Sequence, residues 1–152
     1  MENNKTIEVL NSLITINNER IEGYETASKE SKEQDLKSLF TDFTSTSQKC
    51  KQELVIEVTK LGGKIAEGTM ISGKFFRVWM DVKAALTGND RKAILDSCEY
   101  GEDTAVNAYN EVLKNNLNDI TTEQQSMIRA QYHLIVADHN KVKSLRDALV
   151  SA

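Results

Sequence analysis

The chain contains no proline, and its 7 glycines are too few to interrupt it often. Without proline, nothing in it breaks a helix by removing a backbone donor, so long helices are the default. The only cysteines, Cys50 and Cys98, are too few for a disulfide scaffold. Each lies on an apolar helical stripe and reads as a small core residue, the alternative being a single disulfide or redox pair. The longest apolar runs, such as Leu134-Ile135-Val136-Ala137, fall far short of a bilayer span, and Met1-Glu2-Asn3-Asn4-Lys5 lacks the apolar run of a signal peptide. A cytoplasmic protein is the expectation. Basic excess is missing too: the net charge is -4 and lysines alternate with acids, so no field attracts a phosphate backbone. There is no glycine-rich phosphate loop, no Cys-x-x-Cys pair and no strand for a Rossmann fingerprint to follow. These absences argue against an enzyme.

What remains is helical periodicity. The 152 residues, 39% hydrophobic and 28% charged, suit a single soluble domain over 1–152. Helices are expected at about 4–30, 35–61, 74–87 (a short one), 90–116 and 121–150. Ile7, Leu10, Ile14, Asn17, Ile21 and Tyr24 share a face of the first. Leu36, Leu39, Phe40, Phe43, Ser47, Cys50, Leu54, Val58 and Leu61 do so in the second, which stops at Gly62-Gly63, a left-handed C-cap. Ser31 or Asp35 is the expected N-cap between these two. Residues 64–73 read as an aperiodic crossover, followed by a short helix with Phe75, Trp79, Val82 and Leu86 on one side and Gly88 at its end. Ile94, Cys98, Gly101, Ala105, Tyr109 and Val112 line the next helix, which starts from Asn89-Asp90. Met127, Gln131, Leu134, Asp138, Val142, Leu145 and Leu149 line the last, where Thr121-Thr122-Glu123-Gln124 has the capping-box form.

One stretch echoes another. Gly101-Glu102-Asp103-Thr104-Ala105 repeats the pattern of Gly23-Tyr24-Glu25-Thr26-Ala27, which suggests one helical hairpin used twice. Small residues at matching places let neighbouring helices approach closely. The expected fold is an all-α, ferritin-like antiparallel four-helix bundle, with short links except for the B–C crossover that carries the extra helix.

Leu61-Gly62-Gly63, Trp79, Leu86-Thr87-Gly88, Cys98-Glu99-Tyr100-Gly101-Glu102-Asp103, Gln131-Tyr132, His139 and Leu145-Arg146 give the chain a further likeness. It resembles a bacterial family of ferritin-like four-helix-bundle proteins known as a domain of unknown function. The first helix shares only Gly23-Tyr24 with that pattern. The resemblance implies the ferritin-like fold and transfers no catalytic residue.

A ferritin-like di-iron centre needs a carboxylate from each of two helices and a Glu-x-x-His pair from each of the other two. The only histidines, His133 and His139, sit on the last helix, with Ala130 and Val136 three residues before them. A standard oxidase or iron-storage centre is thereby excluded. A reduced iron or manganese site would draw on Glu22, Glu53, Glu57, Glu102, Asp138 and His139, which flank the inward stripes. Against it stand solvation of these acids at the surface, or their burial as ion pairs with Arg20, Arg129 or Arg146. His139, beside Ile135 and Val142, reads as a hydrogen-bonded boundary histidine. Trp79 with Phe75 and Phe76 forms either an aromatic lid on the bundle or an exposed contact for a partner.

Two functional classes follow. One is a non-catalytic bundle without cofactor, acting by self-association or through a protein partner, in a setting such as stress or envelope maintenance. The other is a divergent carboxylate metal protein with a redox or storage role.

Overall fold

The computed structural model describes residues 2–67 and 73–151, with side chains described for 3–67 and 79–149. All regular structure among them is helical: α1 (Glu2–Glu30), α2 (Gln34–Lys60), α3 (Gly73–Gly88), α4 (Arg91–Asn115), a 3-10 turn (Leu117–Asp119) and α5 (Thr122–Ser151). No helix among the described residues is long and apolar enough to cross a membrane.

The helix ends show local chemistry at work. Gly62 adopts φ +73° after α2, and the Gly62 and Gly63 amides donate back to the Thr59 and Val58 carbonyls, a Schellman closure that needs a residue without a Cβ penalty. At the end of α3 the left-handed residue is Asn89, at φ 51°, and not the glycine before it. Asn89 and Asp90 donate to the Leu86 and Ala85 carbonyls, while the Asp90 carboxylate caps α4 by accepting from the Ala93 amide. Thr121 and Gln124 make the reciprocal capping box: each side chain accepts from the other's amide, at 3.1 and 2.9 Å. Neither residue expected to cap α2 does so. Glu33 holds that position, Ser31 bonds back to the Ala27 carbonyl, and Asp35 accepts from its neighbour Leu36 and pairs with Arg91.

α1 packs along α2, α4 along α5, and α3 against α4 and α1. The apolar core falls into two clusters. One joins Tyr24 and Ala27 of α1 to Leu36, Phe40 and Phe43 of α2, Val82 and Leu86 of α3, Ile94, Leu95 and Cys98 of α4 and Val142 of α5. The other joins Val9, Leu10, Leu13 and Ile14 to Leu54 and Val58, Ala105, Tyr109 and Val112, and Ile128 and Ile135. Thus α1 and α5 run in one direction and α2 and α4 in the opposite one.

Two expected stripes shift. On α5 the buried positions are Gln124, Ile128, Gln131, Ile135, Asp138 and Val142, whereas Leu134 and Leu149 are 37% exposed. Gln131, Asp138 and Val142 are inward as expected, whereas Ile128 and Ile135 take the buried places expected of Met127 and Leu134. On α1 Ile21 is only half-buried, while Asn17, Asn18, Glu19 and Arg20 are all buried. The middle of α1 is enclosed on more than one side.

Trp79 lies inward. Its ring stands edge-on to Tyr24 at 5.1 Å between centroids, and a Cβ on Gly23 would sit 2.3 Å from the indole. Gly23 therefore makes room for an aromatic ring from α3, not for the backbone of a neighbouring helix as the echo suggested. The expected partners of that lid, Phe75 and Phe76, fall outside the described side chains.

Candidate functional site

Between the two apolar clusters, α1, α2, α4 and α5 each contribute polar side chains. α1 brings Arg20, whose side chain is 2% exposed, against Glu102 of α4, which is fully buried. Arg20 Nε donates to Glu102 Oε2 at 3.1 Å and Nη2 to Oε1 at 2.6 Å, the parallel pair that a planar guanidinium makes with a carboxylate. Nη2 also donates to Asp138 Oδ2 of α5 at 3.0 Å, and Nη1 to the Ser47 hydroxyl of α2. One residue thus ties four helices. Its carbon Cζ lies 5.4 Å from the centroid of the Tyr24 ring, a cation–π contact on the flank facing the aromatic cluster.

A second polar layer lies one turn away. Asn17 Nδ2 donates to the Tyr109 hydroxyl at 2.8 Å, which donates to Gln131 Oε1 at 2.7 Å. Gln131 Nε2 then donates to Glu53 Oε1 at 3.0 Å and to the Cys50 carbonyl. The chain again crosses all four long helices.

Burial shapes the electrostatics. For Arg20 burial works to lower the pKa, but Glu102 and Asp138 overcome it and hold the guanidinium charged. Burial raises the Tyr24 and Tyr109 hydroxyls, with Glu102 adding to the first, and so keeps both neutral donors. The Cys50 thiol is pushed up to about 11 and Cys98 also upward, mainly by burial; neither is a thiolate nucleophile and neither is in a disulfide. Glu19, 6% exposed on α1, is pushed up to about 7 by burial with Glu22 adding, and its Oε1 has no hydrogen-bond partner.

Of the six candidate metal ligands, the structure brings Glu102 and Asp138 together, but around the Arg20 guanidinium. Glu22 is exposed on α1. Glu53 is held by Gln131 and Lys49, and Glu57 by Lys60 and Gln124. His139 is half-buried, its Nε2 2.6 Å from Asp103 Oδ1, as a boundary histidine should be. Glu99, Asp103 and His139 have ligand atoms within 4.8 Å of one another, a group that sequence spacing did not single out. Arg146 pairs with its Glu99, and Asp103 is 54% exposed, so charge there is already compensated by protein and water.

Arg20 was the residue hardest to find in advance. It entered only as one of three arginines able to pair with a buried acid, because a charged residue beside an apolar stripe reads as solvated. Its signal was the concentration of polar residues at Asn17, Ser47, Glu102, Gln131 and Asp138, all inward and near the middle of the four long helices.

The fold and this centre define an all-helical protein whose middle is held by buried ion pairs and hydrogen bonds. The chain belongs to a family described as a domain of unknown function (DUF2383), whose model matches residues 5–115, from α1 to the end of α4. Gln131 and Asp138, on α5, lie beyond the matched segment. No curated protein matches the chain.

Proposed function

We propose that the protein is a ferritin-like antiparallel four-helix bundle, with residues 61–90 as its crossover, that works by association and not by chemistry at a metal centre. The direction of the four long helices supports this topology: α2 ends beside the Val58 cluster, α4 begins beside the Ile94 cluster, and the intervening link must run from one to the other. The sequence echo between α1 and α4 fits two related hairpins.

The observation that carries the functional reading is the seat of Arg20. A carboxylate bundle gathers its acids around cations, and here the chain supplies that cation itself, bonded to Glu102 and Asp138. A guanidinium keeps its charge at any physiological pH, so a divalent ion entering between these carboxylates would first have to displace it. In this reading Glu22, Glu53, Glu57, Glu102, Asp138 and His139 serve as solvated or paired acids and a boundary histidine, and the molecule acts by pairing with itself or with a protein partner. Two buried free thiols suit a reducing cytosol.

Light scattering across a concentration series tests self-association: a mass that rises to a multiple of 17.1 kDa supports it, and a monomer throughout overturns it. Elemental analysis of untagged protein purified without chelators tests the alternative. Stoichiometric iron or manganese, lost in Glu102→Ala, would replace the present reading with a carboxylate metal protein.

A further inference from the structure

Arg20, Glu102 and Asp138 are an unbalanced set. Two carboxylates share one guanidinium, and none of the three side chains is more than 7% exposed. Fully ionised, the triad would carry one negative charge more than its own guanidinium balances, with only the exposed Lys141 nearby to offset it, an arrangement that low polarisability makes expensive. The two acids are not equivalent. Glu102 receives two hydrogen bonds from the guanidinium and Asp138 receives one, so Asp138 loses less on becoming neutral.

We propose that the folded protein holds one proton in this centre, on Asp138, and gives it up as the pH rises toward neutrality, so that the junction of α5 with α1 and α4 is tightest on the acid side. The groups facing Asp138 are Arg20 from α1, the Cys50 thiol and Ser47 hydroxyl from α2, Glu102 from α4 and Lys141 from its own helix. The guanidinium is seated between Glu102 and Asp138, and the proposal rests on the reading above that they are its ion-pair partners. Burial pushes the Asp138 carboxyl up to about 6, with Arg20 opposing and Glu102 adding. Since the folded value lies above the ordinary 3.8, the proton stabilises the fold fully below about pH 4, and this contribution is lost as pH rises through 6. The pH dependence is opposite in sign to that of a salt-bridged carboxylate, and it stands whether or not the protein associates.

The test uses the full chain. Urea unfolding of the unaltered protein and of Asp138→Asn is followed from pH 4.5 to 7.5. Asparagine keeps the acceptor for Arg20 without the charge. The unaltered protein should lose roughly 25-fold in its folding constant across that range through this residue. Asp138→Asn should lose that share and keep what other groups, Glu19 among them, contribute. Identical pH profiles for the two proteins overturn the proposal. Because the variant has to fold for that comparison, carbon-13 NMR of the aspartate carboxyls in the unaltered protein gives a second reading. One aspartate titrating near pH 6 supports the proposal; all of them ionised by pH 5 overturns it.

Discussion

Replacing Arg20 by methionine tests the central ion pairs most directly. The substitution keeps an unbranched stem of similar reach but removes the hydrogen bonds to both Glu102 oxygens, to Asp138 and to Ser47. Two buried carboxylates are then left facing each other without a cation. Breaking a buried ion pair by removing one partner costs about 3 to 5 kcal/mol, out of about 5 to 15 kcal/mol for the whole domain. Arg20→Met should therefore lower the urea midpoint by about a fifth or more at pH 7.5. The loss should shrink at pH 4.5, where protonation of Asp138 removes the repulsion between the two acids. Removing the charges together, as Arg20→Met with Glu102→Leu and Asp138→Leu, should recover most of the stability, because a well-packed apolar set often matches a buried ion-pair triad. A deficit of Arg20→Met below about 1 kcal/mol at pH 7.5, by circular dichroism, would refute the assignment of Arg20 as the tie between the helices.

Two further outcomes follow from the packing around α1. Gly23→Ala places a methyl group against the Trp79 ring, where its Cβ would stand 2.3 Å away, and should cost about 1 to 3 kcal/mol by overpacking. Trp79 is the only tryptophan, so its emission should shift as the ring is displaced; in Trp79→Ala the added Gly23→Ala should be nearly neutral, and equal costs in both backgrounds would place the ring elsewhere. Glu19→Gln should raise stability by roughly 1 to 3 kcal/mol at pH 8.5 and change it little at pH 5. The sign follows from a carboxyl pushed up to about 7, whose ionisation above that pH weakens the fold; a variant no more stable than the original at pH 8.5 would contradict it.

Local signals carried the helix ends well. Gly62 closes α2 in the left-handed conformation, and the Thr121–Gln124 box opens α5, since each depends only on residues within one turn. Cap identities were harder where two residues of suitable chemistry compete: Asp35 is drawn to Arg91 of α4 and Ser31 to the carbonyl of Ala27, contacts that cap preference alone does not contain. On α5 the expectation held at Gln131, Asp138 and Val142 but failed at Leu134 and Leu149, which are apolar and still face water, something a count of hydrophobic positions cannot foresee. At the centre, the inward polar residues Asn17, Ser47, Gln131 and Asp138 were legible from their spacing. Their connection through Arg20 was not, because which arginine reaches inward depends on the heights at which four separate helices meet.

The polar layer around Arg20 also divides the molecule thermodynamically. On one side lie aromatic residues around Tyr24, and on the other aliphatic residues around Leu10 and Ile135, with hydrogen bonds and charges between. Hydrogen bonds and ion pairs are directional and fail over short displacements, whereas apolar contacts tolerate sliding. The middle therefore acts as a gauge of register: a helix shifted by one turn would bring apolar groups against Arg20 and strand its partners. Each apolar half can open at its own end while this gauge still holds the helices in place, so amide exchange should be slowest around residues 17–20, 47–50, 102–109 and 131–138 and faster toward both ends. The least oily part of the core would then be its most persistent.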